Sequence, residues 1–184
     1  MKEKCFFTDR LILREINDDE WDNYYNHVTE ADEIFVQYGR EPTEDLLEFI
    51  KHPTPDVIYH SIILKDTDEM VGYIGIPEYN SSIEYYIFPE HRRNGYAYEA
   101  LTAFVDAYLD GLITPDNKDS VTAEVVFDNE ASDRLLKKAG FAKLGTGCSF
   151  GWKDEAKTEI EATAWFSRYE YSREESEEKN NEQK

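Results

Sequence analysis

The chain has 184 residues, 40% of them hydrophobic, and a formal net charge of −20 at pH 7. This length fits one domain with one core, and the acidity argues against non-specific binding to nucleic acid or to an anionic membrane. No apolar run is long enough for a membrane span or a secretory signal, so a cytoplasmic location is expected. Cys5 and Cys148 are too few for a disulfide framework and lack metal-ligand spacing.

The N-terminal part predicts a strand, two helices and a hairpin. Residues 6–16 alternate apolar and polar side chains, as a strand does. Asn17 and Asp18 are candidate caps for a helix with helical spacing of its apolar residues, and a second short helix is predicted after Pro42 and Thr43. The hairpin is indicated by two β-branched and aromatic runs, 57–65 and 70–76, that flank a turn at 66–69.

The C-terminal part predicts strand and helix in alternation. The strands are expected at 82–88, 120–127, 142–151 and 158–170, and the helices at about 96–110 and 130–139. Gly140 stops the last helix in the position after its C-cap. The order predicts an α/β or α+β domain over residues 1–170, with a mixed sheet and helices on both faces. Residues 171–184 are charged, have no apolar pattern and are predicted to be a disordered tail.

A small cationic stretch stands out in this acidic chain. The segment "PEHRRNGYAYEA" (89–100) places Arg92 and Arg93 beside Gly95, where a strand gives way to a helix. Unpaired N–H groups of a first helical turn, the helix dipole and a glycine that lets a ligand approach the backbone together suit a phosphate group. The alternative is an ordinary turn with two solvated arginines. The stretch matches neither the Walker motif nor the dinucleotide fingerprint.

Three segments resemble the GNAT superfamily of acetyl-CoA-dependent N-acetyltransferases. "IEYYIFPEHRRNGYAYEAL" resembles the superfamily motif R/Q-x-x-G-x-G/A, at Arg92, Gly95 and Ala97. "DNEASDRLLKKAGF" (128–141) resembles the motif N-x-x-S-x-x-x-L-x-K-x-G-F. "TDRLILREINDDEWDNYY" resembles the opening of the branch with ribosomal-protein N-terminal (RimJ/RimL-like) and spermidine acetyltransferases.

The resemblance implies a fold, a co-substrate and a set of binding residues. The implied fold is a mixed, mostly antiparallel seven-stranded sheet, splayed between its fourth and fifth strands. The implied co-substrate is acetyl-CoA, and no metal is expected. The residues implied to bind it, chiefly through the backbone, are Tyr85, Tyr86 and Ile87 for the pantetheine arm, Arg92, Arg93, Asn94, Gly95, Tyr96, Ala97 and Tyr98 for the pyrophosphate, and Asn129 for the arm.

Acetyl transfer to an amine needs a base, because an alkyl ammonium is mostly protonated at pH 7. Glu84 and Glu124 are candidates since each interrupts an otherwise apolar strand. The alternative for either is a strand end or an ion pair, and the sequence does not choose between them. In much of the superfamily a tyrosine protonates the leaving thiolate, but the matching position here is Leu136. This departure leaves Ser132, or water, as the proton donor.

The acceptor is expected to be a primary amine on a cationic molecule, such as a protein N-terminus, a polyamine or an aminoglycoside. Aromatic residues of the first helical region, Tyr24, Tyr25, Phe35 and Tyr38, are candidates to hold it by cation–π contact. No nucleic-acid or membrane partner is expected, and the protein is expected to be a monomer or homodimer. Two other functions remain open at this point: a non-catalytic acyl-CoA-binding regulatory module and an acidic interaction protein.

Overall fold

The computed structural model describes residues 5–30, 33–38, 42–52, 57–77, 82–114, 119–152 and 160–173. Its strands are β1 (Cys5–Phe7), β2 (Leu11–Glu15), β3 (Val57–Leu64), β4 (Met70–Pro77), β5 (Glu84–Ile87), β6 (Ser120–Val126), β7 (Ala142–Trp152) and β8 (Ile160–Ser172). Its α-helices are α1 (Asp18–Val28), α2 (Glu33–Tyr38), α3 (Glu44–Lys51), α4 (Tyr96–Leu109) and α5 (Glu130–Lys138), and Pro89–His91 forms a 3₁₀ turn. The greater part of the expected tail lies outside the described residues.

The strands form two sheets. The first is a five-stranded antiparallel meander in the order β1-β2-β3-β4-β5, and the second has β8 between β6 and β7. One parallel bridge, Ser82 to Thr122, joins them, with the Ile83 amide donating to the Thr122 carbonyl at 2.8 Å. The gap between the sheets therefore lies between β5 and β6.

The prediction of a single seven-stranded sheet is wrong for two reasons. The expected first strand, 6–16, is two strands, because the Leu11 amide donates to Thr8 Oγ1 at 2.9 Å and the Thr8 amide donates to the Leu11 carbonyl at 3.0 Å. These bonds reverse the chain. The strands beyond the gap pair only among themselves in the part of the chain that the structure describes.

The helices cover both faces of the first sheet and divide the core in two. On one face α4 packs over the strands, and its buried Leu101 and Phe104 belong to the larger core cluster with Leu136 of α5. On the other face α1, α2 and α3 pack over a second cluster that includes Tyr73 and Phe88. Over the described ranges no helix is long and apolar enough to cross a membrane.

Local signals placed several elements correctly. Asn17 caps α1 through a reciprocal pair of bonds with Glu20, and Thr43 caps α3 by accepting from the Leu46 amide. Gly140 follows the C-cap of α5 with φ +91°, a conformation that glycine adopts without steric cost. The helix α2 is an addition that the sequence pattern did not indicate.

The carboxylate of Glu99 links the turn between β1 and β2 to helix α4. Glu99, in the first turn of α4, accepts from Thr8 Oγ1 at 2.5 Å, from the Arg10 amide at 2.8 Å and from Arg10 Nε at 2.7 Å. Burial acts to raise the pKa of Glu99, but these hydrogen bonds outweigh it and hold the pKa below its usual value. The N-terminal strands and the start of α4 are thereby held together.

We expect Glu99→Gln to destabilise the protein by about 1–2 kcal/mol at pH 7, as judged from hydrogen bonds to charged groups and discounted because half of Arg10 is exposed. Because the folded-state pKa of Glu99 is lowered, its contribution is present above the unfolded pKa of about 4.3 and is lost as pH falls through the folded value. The difference between variant and wild type in urea-unfolding free energy should shrink below about pH 4.

The matched control is Glu130→Gln. Glu130 pairs with Arg134 at 2.8 Å on α5, and both side chains are exposed. This change should cost less than about 0.5 kcal/mol at pH 7. Equal losses for the two variants would show that the Glu99 network contributes no more than a surface ion pair.

Candidate active site

A cavity of about 250 Å³ lies at the gap between β5 and β6. It is lined from β5 by Glu84 and Tyr85, from β6 by Glu124, and from the start of α5 by Asn129 and Ser132. The two candidate bases and the two candidate residues before and in α5 thus share one cavity. Among the strands that the structure describes, none pairs with the second edge of β5 along Glu84–Ile87.

Glu84 is half-buried and its side chain lines this cavity. Its Oε2 accepts a hydrogen bond of 3.4 Å from the Tyr59 hydroxyl. Burial raises the pKa of Glu84, and the bond from Tyr59 offsets this only in part. The charge of Glu84 also helps to raise the pKa of the buried Tyr73, after burial itself and the influence of Tyr38. A carboxyl group with a raised pKa in a cleft has the properties of a proton acceptor.

Glu124 has a different environment. Arg168, opposite it on β8, donates to Glu124 Oε1 from Nη2 at 2.5 Å and from Nε at 3.1 Å. The Glu124 side chain remains 38% exposed. The ion pair that the sequence left open as an alternative is therefore formed at Glu124.

The start of α5 brings three predicted positions together. Asn129 is the N-cap, and its Oδ1 accepts from the Ser132 amide at 3.1 Å. This leaves the two N–H bonds of the Asn129 side-chain amide for other partners. Leu136, one turn further on, lines the cavity but is fully buried in the core. Ser132 is half-buried, so a hydroxyl lies on the cavity side of α5.

The alternation of β5 separates the other predicted residues. Tyr86 faces the cluster beneath α1, α2 and α3, whereas Tyr85 and Ile87 face the core beneath α4 and α5. Tyr85 has a buried hydroxyl for which no described residue serves as hydrogen-bond partner. Burial raises the pKa of Tyr85 to about 12, and Ser132 lies near enough to lower it slightly.

The loop before α4 turns its carbonyl groups toward protein donors. Asn94 Nδ2 donates to the His91 carbonyl at 3.0 Å, and Arg10 Nη1 donates to the Asn94 carbonyl at 2.9 Å. Arg93 and Gly95 both have left-handed backbone, with φ +64° and +82°. Gly95 is the N-cap of α4 and provides no side-chain bond to its first turn. With these carbonyls held by protein donors, the N–H groups of this turn are a candidate anion site.

Arg92 occupies a different position from the rest of the loop. Its guanidinium forms a bidentate pair with Glu33 of α2, and its Nε donates to the Ile87 carbonyl at 2.9 Å. Tyr86 completes the group, since its hydroxyl donates to Glu33 at 2.9 Å. Burial acts to raise the pKa of Glu33, but the bonds from Arg92 and Tyr86 lower it overall. Arg92 therefore fastens α2 to β5, and Glu33 neutralises its charge.

The side chains of the first turn of α4 point to protein neighbours. Arg10 lies over the Tyr96 ring at 4.8 Å and Lys138 over the Tyr98 ring at 4.4 Å. Ala97 packs against the core. Arg93 and Gly95, which precede this turn, are exposed, and the binding of a phosphate by the backbone here stays a prediction.

The aromatic residues expected at the acceptor side divide into core and cavity. Tyr24 is fully buried, and its hydroxyl bonds to that of Tyr38 at 2.9 Å. Tyr38 and Gln37 line the cavity from α2. Tyr25 packs at the margin of the smaller core cluster, and the side chain of Phe35 is outside the described part.

Two side chains near the site did not emerge from sequence reasoning. Arg10 belongs to the quoted "TDR" segment, yet its contact with the loop 84 residues later depends on the fold. In the sequence, Tyr85 is one of several aromatic residues in a strand. The strand pattern does not show that its hydroxyl is buried without a hydrogen-bond partner among the described residues. The position of Arg10 in a segment that resembles the family could have indicated a role near the site. The sequence contains no comparable indication for the hydroxyl of Tyr85.

Comparisons with known proteins agree with this architecture. The model of the acetyltransferase (GNAT) domain matches residues 10–142. The N-acetyltransferase YoaA of Bacillus subtilis (strain 168), whose function is uncharacterized, is 35% identical over 151 residues, which covers 75% of this chain and 82% of that protein.

Solved structures share the fold at low sequence identity. Spermidine N-acetyltransferase from Vibrio cholerae, in complex with CoA and spermine, has a TM-score of 0.67 at 18% identity. The match covers 91% of this chain and 98% of that chain. Ribosomal-protein-S5-alanine acetyltransferase from Vibrio fischeri has a TM-score of 0.63 at 14% identity, and the match covers 91% of this chain and 96% of that chain. The domain match and the 35% identical relative together show that this chain belongs to the GNAT family of N-acetyltransferases.

Proposed function

We propose that the protein transfers an acetyl group from acetyl-CoA to the primary amine of a cationic acceptor, with Glu84 as the general base. The observation that carries this proposal is the half-buried Glu84 side chain at the gap between β5 and β6, in one cavity with Asn129 and Ser132. The GNAT family as a whole uses acetyl-CoA, so the remaining question is whether this chain has residues that suit it.

The residues present fit an acetyl-CoA molecule at three places. The loop at Arg93–Gly95 and the first turn of α4 offer unpaired N–H groups to a pyrophosphate, and a Cβ at Gly95 would meet only Arg10 Nη2, at 3.4 Å. The open edge of β5 at Tyr85, Tyr86 and Ile87 offers peptide groups to the amide-bearing pantetheine arm. The side-chain amide of Asn129 can donate to the same arm. When bound, acetyl-CoA supplies the activated acyl group.

The chain's own residues manage the protons of the acceptor. A lysine-like amine has a pKa near ~10 and arrives as an ammonium ion. Glu84, with its raised pKa, accepts the proton directly or through water, and the neutral amine attacks the thioester carbon. A backbone N–H on the open edge of β5 stabilises the oxyanion. Ser132, at the start of α5, lines the same cavity and would be the hydroxyl nearest to a departing thiolate.

The surroundings of the cavity favour a cationic acceptor. Glu84, Glu124, Gln37 and Tyr38 line the cavity, and the chain as a whole carries a net charge of −20. These groups attract ammonium groups and raise their local concentration. The solved structures that share the fold include a spermidine N-acetyltransferase and a ribosomal-protein acetyltransferase, both of which take amine acceptors by name. A polyamine or a basic protein N-terminus is the acceptor class we propose.

Replacing the proposed base should separate activity from stability. We expect Glu84→Gln to lower kcat at least about 100-fold and to remove the acid limb of the pH–rate profile. The folded pKa of Glu84 is raised, so its burial cost grows as pH rises through the window above the unfolded value of about 4.3. Glu84→Gln should therefore raise Tm at pH 7 while it lowers thiol release from acetyl-CoA.

Glu124→Gln is the comparison for this experiment. Because its carboxylate is paired with Arg168, we expect a change in kcat of less than about threefold. A larger loss in Glu124→Gln than in Glu84→Gln would place the base on β6. Unchanged turnover in the double variant would remove both residues from the mechanism.

The anion site should depend on backbone conformation more than on side-chain charge. Gly95→Val forces a β-branched residue to φ +82°, which costs at least ~1–2 kcal/mol, so the Kd for CoA should rise about tenfold or more. Arg93→Gly removes a charge but suits φ +64°, and we expect a rise of less than about threefold. Calorimetric titration with CoA measures both, and the opposite ranking would show that side-chain charge holds the anion.

A further inference from the structure

The Tyr85 hydroxyl is buried and has no hydrogen-bond partner among the residues that the structure describes. A buried hydroxyl without a hydrogen-bond partner destabilises the folded state, and for this reason buried polar groups in proteins usually have partners. A phenylalanine would occupy the same place without this cost. The hydroxyl therefore requires an explanation, and its position at the cavity suggests a chemical one.

The geometry of β5 places Tyr85 opposite the proposed base. Glu84 contacts Tyr59 on the side of α1, α2 and α3, where Gln37 and Tyr38 line the cavity. Successive strand residues point to opposite faces, so Tyr85 points to the core beneath α4 and α5. Its neighbour there is Ser132, whose side chain lies near enough to lower the pKa of Tyr85, although the two hydroxyls do not meet the geometry of a hydrogen bond. Glu84 therefore faces the side of the gap near α2, and Tyr85 faces the side near α5.

Helix α5 itself contains no tyrosine. Leu136 lines the cavity and is fully buried, and it has no polar atom to offer a leaving sulfur. Ser132 has a hydroxyl on the cavity side, one turn earlier. A serine hydroxyl alone is a very weak acid, so a second donor behind it would make proton transfer easier.

We propose that Tyr85 and Ser132 form a two-hydroxyl relay that protonates the leaving thiolate. Ser132 meets the sulfur, and Tyr85 is a positioning residue that acts through Ser132 and resupplies its proton. The inference rests on the proposed acetyl transfer, because only that reaction releases a thiolate here.

The proton balance of the relay is complete. The acceptor nitrogen forms a bond to the acyl carbon and the carbon–sulfur bond breaks, with its electron pair passing to sulfur. The Ser132 proton moves to sulfur, and the Tyr85 proton moves to Ser132. Tyr85 recovers a proton from water after the thiol leaves, while the acceptor's two protons depart through Glu84 to solvent. The net products are an amide, a thiol and one released proton.

The charged and titratable neighbours of Tyr85 keep it protonated. Burial raises its pKa to about 12, and Tyr169 of β8, whose hydroxyl donates to Asp133 of α5, lies close enough for the two phenols to interact. Glu84 and Tyr86 are the titratable groups of β5 on its opposite face. Tyr85 is therefore a hydroxyl donor across the working pH range. Burial in the same cavity also raises the pKa of a thiol, which narrows the difference between donor and acceptor.

The first test compares Tyr85→Phe, Ser132→Ala and the double variant. We expect each single variant to lower kcat by about 10–100-fold with a small change in KM for acetyl-CoA. The double variant should lose no more than the worse single one, because the two hydroxyls act as a unit. Tyr85→Phe should raise Tm, since it removes an unpaired buried hydroxyl. Tyr108→Phe, at a buried core tyrosine outside the cavity lining, is the control and should keep wild-type kcat.

The second test changes the leaving group. A selenol is a much stronger acid than a thiol and leaves without a proton, so the acetyl selenoester of seleno-CoA bypasses the relay. With this substrate the loss in Tyr85→Phe should shrink to less than about threefold. An equal loss with both esters would mean that the tyrosine acts on packing or on the attack step, and would overturn the relay.

A third measurement needs no turnover. In the complex with CoA, hydroxyl donors that face the sulfur favour its thiolate form. The pKa of the bound thiol, followed by thiolate absorbance against a desulfo-CoA complex, should rise by about one pH unit in Tyr85→Phe. The pKa should be unchanged in Tyr108→Phe. The same thiol pKa in wild type and Tyr85→Phe would overturn the relay.

The outcomes separate this inference from the proposed function. Wild-type protein that releases no thiol from acetyl-CoA with any polyamine or basic peptide would remove the proposed function and the relay with it. Active wild-type protein with an equally active Tyr85→Phe variant would remove the relay alone and leave Glu84 in place. Additive losses in the double variant would also reject the two-hydroxyl unit.

Discussion

The site depends on one interruption of hydrogen bonding, the gap between β5 and β6. A single parallel bridge at Ser82 and Thr122 holds the two sheets together at one end of this gap. Beyond it the edge of β5 is left open, a feature that proteins usually cover. An open edge beside a 250 Å³ cavity offers a strand-like ligand both peptide partners and space. Strand alternation then directs Glu84 and Tyr85 to opposite faces of the sheet beside the same cavity.

The acidity of the chain and the anionic co-substrate are reconciled by distance and by backbone. Around the loop before α4, Arg10 and Arg92 are engaged with Glu99 and Glu33, so their charge is largely compensated. These arginines fix the backbone conformation, because Arg10 donates a hydrogen bond to the Asn94 carbonyl and Arg92 donates one to the Ile87 carbonyl. The N–H groups that remain carry only partial positive charge, but they are fixed in place. The carboxylates can then dominate the acceptor side without opposing the phosphate side.

The sequence predicted the local features well and the tertiary ones in part. The hairpin turn at 66–69, the cap at Asn17, the start of a helix after Thr43 and the stop at Gly140 follow from neighbouring residues and are confirmed. The split of the first strand was missed because the alternation of apolar residues continues across the turn that Thr8 closes. The helix α2 was missed because it is only six residues long and is held by Glu33 to Arg92, a contact between distant parts of the chain. Likewise, the interruption of apolar strands led to Glu84 and Glu124, and the family resemblance led to Asn129 and Ser132, but only the fold shows which glutamate is paired with an arginine and which is not.

Two of the residues around the cavity make the folded state less stable than it could be. Glu84 loses hydration and recovers one long hydrogen bond, and the Tyr85 hydroxyl loses hydration and recovers none. They are neighbours in sequence, on the strand that borders the gap, whereas the carboxylates of Glu33, Glu99 and Glu124 all have close partners. Unsatisfied groups scattered through a core would point to poor packing. Two that lie side by side on the open strand, facing opposite ways across the same cavity, point to bonds that are completed only when a substrate is bound.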